Sequence, residues 1–323
     1  MNNYTDISHW RQESIKHVST NHYNLNTLHD EVIRKTVEVA MKKVQREWGS
    51  SPAPFAFFLM GSAGRFEQSV WSDQDHGIIF DGNADCEEYF LKLGSEIAVA
   101  LEMVGYETCE GKVMASNPLW CQSIADWKQQ ISDWLEEASW TSLRHFSTFI
   151  DSRVLVGDNN FINEIKKLAF TIINNEPRLY LRLVENVDFI KKGVGVLGQL
   201  LPESSGEQSG KIQLKQTTFF PYVNSLRLLA LKESVTDSST IARFNKIKEK
   251  YPSIYSFEKY FIQLLQFRLN FQQDVRSYQQ VHLIPLDKLT KQNKKELKLL
   301  MKKGYDLFSD TKKIIENECS AWL

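Results

Sequence analysis

A mixed α/β domain followed by an all-helical domain is the fold class this sequence predicts, and three observations predict it. Two apolar runs, Phe55-Ala56-Phe57-Phe58-Leu59-Met60 and Gly77-Ile78-Ile79-Phe80, are bounded by small and polar residues, as buried strands are. Around them lie stretches with apolar residues three and four positions apart, so strands and helices alternate. From about Phe161 onward the chain is helix-rich.

Residues 1–50 read as an N-terminal helical segment, because Leu28, Val32, Ile33, Val37, Val39 and Ala40 form an approximate helical stripe before the break at Gly49-Ser50-Ser51-Pro52. Residues 51–160 form the α/β domain. After its two apolar strands, Phe90, Leu93, Ile97 and Leu101 line a helix that ends near Gly105. Trp120, Ile124, Trp127, Ile131, Trp134 and Ala138 make a second stripe, which reads as core rather than as a base-stacking platform. Phe146-Ser147-Thr148-Phe149-Ile150-Asp151 reads as a further strand of the same sheet, and Asp158 as the cap of a helix beginning near Asn160.

Residues 161–323 form the helical domain, with periodic apolar sets at Ile165, Leu168, Ala169 and Ile172, at Leu226, Leu229 and Ala230, and at Ile262, Leu265, Phe267 and Leu269. A final amphipathic helix spans 291–323, and residues 202–210 are a polar loop. Gly193-Val194-Gly195-Val196-Leu197-Gly198 spells a dinucleotide fingerprint, but a helix precedes it and a polar loop follows, so the strand that such a site needs is missing.

A chain of 323 residues is long enough for two cores, and 42% apolar with 24% charged residues is an ordinary globular balance. With a net charge of −1 there is no global attraction to nucleic acid or to a membrane surface. No apolar run approaches the roughly 20 residues needed to span a bilayer, and Met1-Asn2-Asn3-Tyr4 does not open like a signal peptide. Cys86, Cys109, Cys121 and Cys319 are scattered without metal-like spacing, which fits reduced thiols in a cytoplasmic protein.

The chemistry concentrates at Gly61-Ser62-Ala63-Gly64-Arg65-Phe66-Glu67-Gln68-Ser69-Val70-Trp71-Ser72-Asp73-Gln74-Asp75. One apolar strand runs into Gly61-Ser62, and the next is preceded by two acids one residue apart. Alternation along a strand puts Asp73 and Asp75 on one face. Two adjacent carboxylates repel unless a cation lies between them, and oxygen donors of this kind suit Mg²⁺ together with phosphate oxygens and water. The bare N–H groups of a Gly-Ser turn can hold those phosphates. Metal, phosphate cradle and strand ends together point to nucleotidyl transfer.

This segment resembles the nucleotidyltransferase superfamily, whose mark is a strand ending in Gly-Ser, then D-x-D after about ten residues. Within it, Gly61-Ser62-x-Gly64-Arg65-x-Glu67-Gln68 and Asp73-Gln74-Asp75 resemble the DUF294 family, related to the N-terminal domain of protein-PII uridylyltransferase. Lys112-Val113-Met114-Ala115-Ser116-Asn117-Pro118 followed by Trp120, Trp127 and Trp134 is similar to a second family block. Phe149-Ile150-Asp151-Ser152-Arg153-Val154-Leu155-Val156-Gly157-Asp158 is similar to a third, and Lys215 to Arg227 more weakly to the family's substrate-binding region. The likeness runs from about Leu28 and is strongest over 55–160.

The resemblance implies an α/β nucleotidyltransferase fold, a mixed sheet with flanking helices, at 51–160 and a helical substrate-binding domain at 161–323. It implies transfer of a nucleoside monophosphate from ATP or UTP to a protein or small-molecule acceptor, with Mg²⁺ or Mn²⁺. Asp73 and Asp75 are expected to hold the metal, with Asp151 as third ligand and candidate base. Gly61, Ser62 and Arg65 are expected at the phosphates, and Lys112 and Asn117 at the nucleotide, their competing reading being turn formation. A catalytically silent nucleotide-sensing or partner-binding regulator with the same fold is the alternative. A nucleic-acid-directed transferase would favour basic stripes with exposed aromatics, which a near-neutral chain does not show globally.

Overall fold

A computed structural model of the chain describes residues 3–272, 275 and 277–320. The end of the last predicted helix, 321–323, and the first two residues lie outside the described residues. The chain divides into two compact units, one of residues 1–137 and 145–169 and one of 138–144 and 170–323.

In the first unit, two helices, α1 (Tyr4–Val18) and α2 (His22–Trp48), lead into strand β1 (Phe55–Leu59). A single helical turn, α3 (Gly61–Gly64), and an irregular connection then reach β2 (His76–Phe80). Helix α4 (Glu87–Val104), strand β3 (Cys121–Ser123), helices α5 (Ile124–Glu137) and α6 (Trp140–Phe149), strand β4 (Arg153–Gly157) and helix α7 (Asn159–Asn175) follow, the start of α6 and the end of α7 being counted with the second unit.

The sheet order is β3-β2-β1-β4; β1 pairs antiparallel with β2 and β4, and β2 pairs parallel with β3, so the sheet is mixed. Central β1 is apolar at every position because both of its faces are covered. Phe57 and Leu59 face one core with Ile33, Val37, Phe90 and Ile97 from α2 and α4. Phe58, on the other face, meets Trp127 and Phe149. Trp120, Trp127 and Trp134 are buried among one another, so the tryptophan stripe is core. The N-terminal helices share the sheet's core through Ile7, Val32, Val37 and Val44.

One predicted element is corrected. Residues 146–149 belong to α6, and Asp151 lies in the turn between α6 and β4. Leu143, Phe146 and Phe149, all buried, recur at helical spacing, and that period prevails over the local β preference of Ser147-Thr148-Phe149-Ile150. As expected, Asp158 caps α7, its Oδ1 accepting from the Asn160 N–H at 2.8 Å.

The second unit is helical. It contains α8 (Arg178–Val187), α9 (Phe220–Lys232), α10 (Thr240–Ile247), α11 (Pro252–Tyr255), α12 (Glu258–Asn270) and α13 (Lys291–Ser320). Its core gathers Tyr222, Leu226, Phe244, Phe261, Leu265 and Leu300, and Tyr222 donates to the Leu300 carbonyl at 2.9 Å. A small antiparallel pair, Lys211–Gln213 with Leu283–Pro285, is an addition that helical periodicity does not reveal. Residues 193–201 form a tight hairpin with Val194 opposite Leu200, so no helix opens at the glycine triplet and no dinucleotide site is formed there.

Candidate functional site

The two acids stand in an extended lead-in to β2. Ser72, Gln74 and His76 are buried while Asp73 and Asp75 are half-buried, so alternation puts both carboxylates on the open side. The β1–β2 ladder continues one step beyond the strands, the Met60 N–H donating to the Asp75 carbonyl at 2.8 Å. Directly after Met60, Gly61 turns the chain at φ +56° into α3. A Cβ on Gly61 would overlap the Asp75 carboxylate, with Asp75 Cγ at 2.9 Å. The Gly61-Ser62 turn and the D-x-D are therefore in contact. The first N–H groups of a helical turn have no partner within it, and the half-exposed Ser62 hydroxyl has no protein partner among the described residues.

On the buried side, His76 Nδ1 accepts from the Ala115 N–H at 3.2 Å and its Nε2 meets Gln74 Oε1 at 3.1 Å. The Gln74 amide then donates to the carbonyls of Ala98 and Tyr106, both at 3.1 Å. These bonds fix the neutral Nε2–H imidazole. Burial lowers its pKa from 6.5 to about 3.

The unfolded chain thus takes up a proton that the folded one refuses, so stability is complete above pH 6.5 and falls as pH drops from 6.5 toward 3. Between pH 7 and pH 5 this amounts to about 2 kcal/mol. Denaturant melts at the two pH values should show this loss, and His76→Gln should flatten it.

A third potential ligand joins the acids. One ligand atom each from Asp73, Asp75 and Cys109 lies within 4.8 Å of the others, and all three residues are half-buried. Asp73 pairs in a parallel bridge with Glu107, with Gln74 N–H to Glu107 C=O at 2.9 Å and Glu107 N–H to Ser72 C=O at 3.2 Å. Two residues further along both segments come Asp75 and Cys109. Burial, and then the Asp75 charge, push the Cys109 thiol up to about 12. Sequence spacing does not reveal Cys109 as a ligand, since thirty-odd residues separate it from the acids and only the bridge register brings them together.

The structure does not bring the Asp151 carboxylate into this group. Asp151 is fully buried and accepts from Arg65 Nη1 at 2.8 Å, while Arg65 Nε donates to Glu67 at 2.8 Å. Burial pulls the guanidinium pKa down, but the two carboxylates more than offset it and hold it raised. Arg65 is thus shared between two acids. Lys112 is exposed and stands at φ +53° in the Cys109 loop, its N–H donating to the Cys109 carbonyl at 2.9 Å. Asn117 makes turn-forming bonds in the same loop, donating to the Lys112 carbonyl at 3.1 Å and accepting from the Leu119 N–H at 3.1 Å.

The connection between α3 and the acids is held by residues outside the motif. Asn26 accepts from the Gln68 N–H at 2.7 Å, His29 Nε2 meets the Ser69 carbonyl at 2.8 Å, and Arg11 donates to the Val70 carbonyl at 3.2 Å. Arg153 forms a bidentate pair with Asp30 at 2.8 and 2.6 Å and also donates to the Ala63 carbonyl at 2.9 Å. The available signal was a set of polar residues, Asn26 and His29, on the apolar stripe of α2.

The donor set fits a hard divalent cation through Asp73 and Asp75, whose half-buried carboxylates are grouped together; the Cys109 sulfur is the soft exception. Residues 7–141 match the family model described as "Putative nucleotidyltransferase DUF294", and residues 177–309 match that of the "Putative nucleotidyltransferase substrate binding domain". No curated protein matches the chain in sequence. No helix among the described residues is long and apolar enough to cross a membrane. With both models matched in order across most of its length, the chain belongs to the DUF294 family of nucleotidyltransferases.

Proposed function

We propose that this nucleotidyltransferase moves a nucleoside monophosphate from ATP or UTP to a protein or small-molecule acceptor, in the manner of the protein-PII uridylyltransferase domain. The observation that carries this reading is the contact between the Gly61 turn and Asp75, which sets a phosphate cradle against a carboxylate pair. Mg²⁺ or Mn²⁺ held by Asp73 and Asp75 would neutralise phosphate charge and activate the acceptor oxygen. The N–H groups of Gly61 and Ser62, with the Ser62 hydroxyl, would take the β- and γ-phosphates. Lys112, exposed on the loop beside the acids, offers a cation to the nucleotide. Arg65 is assigned to holding the turn, and Asp151 to anchoring Arg65, instead of phosphate contact and general-base work.

The test is incubation of the purified chain with each labelled triphosphate, Mg²⁺ or Mn²⁺ and cell lysate, reading which species gains label. Calorimetry should show triphosphate binding only with the divalent ion, because Asp73 and Asp75 otherwise repel the phosphates. Equal affinity with and without the ion would overturn the proposal.

A further inference from the structure

We propose that Asp73, Asp75 and Cys109 form a site for a thiophilic divalent cation, Zn²⁺ foremost, which displaces the hard ion from the carboxylate pair. A site built only for Mg²⁺ gains nothing from sulfur, which prefers softer ions. Two carboxylates and one thiolate match the three protein ligands of an open zinc site, leaving a fourth position for water.

The placement is built by the backbone. The Asp73–Glu107 bridge fixes the register of the two segments, so Asp75 and Cys109 fall side by side on the face that Asp73 occupies. The turn closed by the Lys112 N–H on the Cys109 carbonyl at 2.9 Å and the His76 N–H on the Val113 carbonyl at 3.0 Å holds the sulfur's segment there. Ligand atoms on one tetrahedral zinc ion stand about 3.3–3.5 Å apart. The three ligand atoms already lie within 4.8 Å of one another, so side-chain rotation of roughly an ångström suffices to bring them onto one ion. Half-buried ligands leave a path for the ion, whereas Cys86, Cys121 and Cys319 are buried. On binding, the sulfur exchanges its proton for the metal and the proton passes to solvent.

The occupancy stands on the ligand geometry alone. Its consequence, that Zn²⁺ silences transfer supported by Mg²⁺, rests on the transferase reading.

Cobalt(II) serves as the spectroscopic probe. Titrating the metal-stripped full chain with Co²⁺ should give one equivalent of a sulfur-to-cobalt charge-transfer band that Zn²⁺ bleaches. Cys109→Ser and Cys109→Ala, checked for unchanged melting, should lose the band and bind Zn²⁺ more than about 10-fold more weakly, loss of a direct ligand costing at least what loss of an outer partner does. Asp75→Asn should keep the sulfur band and weaken binding. No band in the wild-type chain, a band that survives in both Cys109 variants, or equal Zn²⁺ affinity in all of them would overturn the proposal. Mg²⁺-dependent triphosphate binding, measured separately, distinguishes the two failures: binding without a cobalt band removes only the soft site, and a band without triphosphate binding removes only the transferase reading.

Discussion

Asp75→Asn is expected to abolish nucleotide transfer while leaving the fold intact. Charge stabilisation at a phosphoryl centre is worth several kcal/mol, and at about 1.36 kcal/mol per tenfold the loss is on the order of 1000-fold in rate. The carboxylate is grouped with that of Asp73 and with the Cys109 sulfur, and it is Asp75 whose carboxylate lies against the Gly61 turn. Stability should change by less than about 1 kcal/mol, because the substitution also relieves repulsion between two acids and an amide oxygen still accepts a hydrogen bond. Label incorporation and a thermal melt on the same preparation decide it. Retained transfer in a folded Asp75→Asn variant would remove the acid pair from the mechanism.

Gly61→Ala should be nearly as damaging, for a different reason. At φ +56° an L-residue is strained, and its Cβ would overlap the Asp75 carboxylate. Strain of this kind costs about 1–3 kcal/mol, which a denaturant melt will show. The larger effect falls on binding, since relief requires the turn and Asp75 to separate, and Mg²⁺-dependent triphosphate affinity should fall at least about tenfold, equivalent to 1.4 kcal/mol. A variant that is destabilised but binds normally would mean that the close approach serves packing alone.

Much of this site was legible in the sequence because it is encoded locally. The period of two across Ser72 to His76 shows in one segment which residues face the core and which face outward, and the structure keeps that division. The strand–Gly-Ser–D-x-D spacing and the apolar periods of α4, α5 and α9 are likewise properties of neighbouring residues. The misread segment at 146–151 is one where local preference and helical period conflict, and an apolar face needing burial decided for the helix. Asp151 was thereby carried into a turn, where Arg65 meets it.

By itself, then, the sequence determined the alternation of strands and helices, the facing acid pair, the Gly61-Ser62 turn and the tryptophan core, all through short-range period and spacing. Tertiary structure alone decided that Cys109 stands beside Asp75, that Arg65 is shared by Glu67 and Asp151, and that Arg11, Asn26 and His29 hold the connection to the acids. Each of these depends on hydrogen-bond register or burial shared between segments far apart in the chain. A residue's own neighbours carry no record of which distant backbone will fill its donors and acceptors.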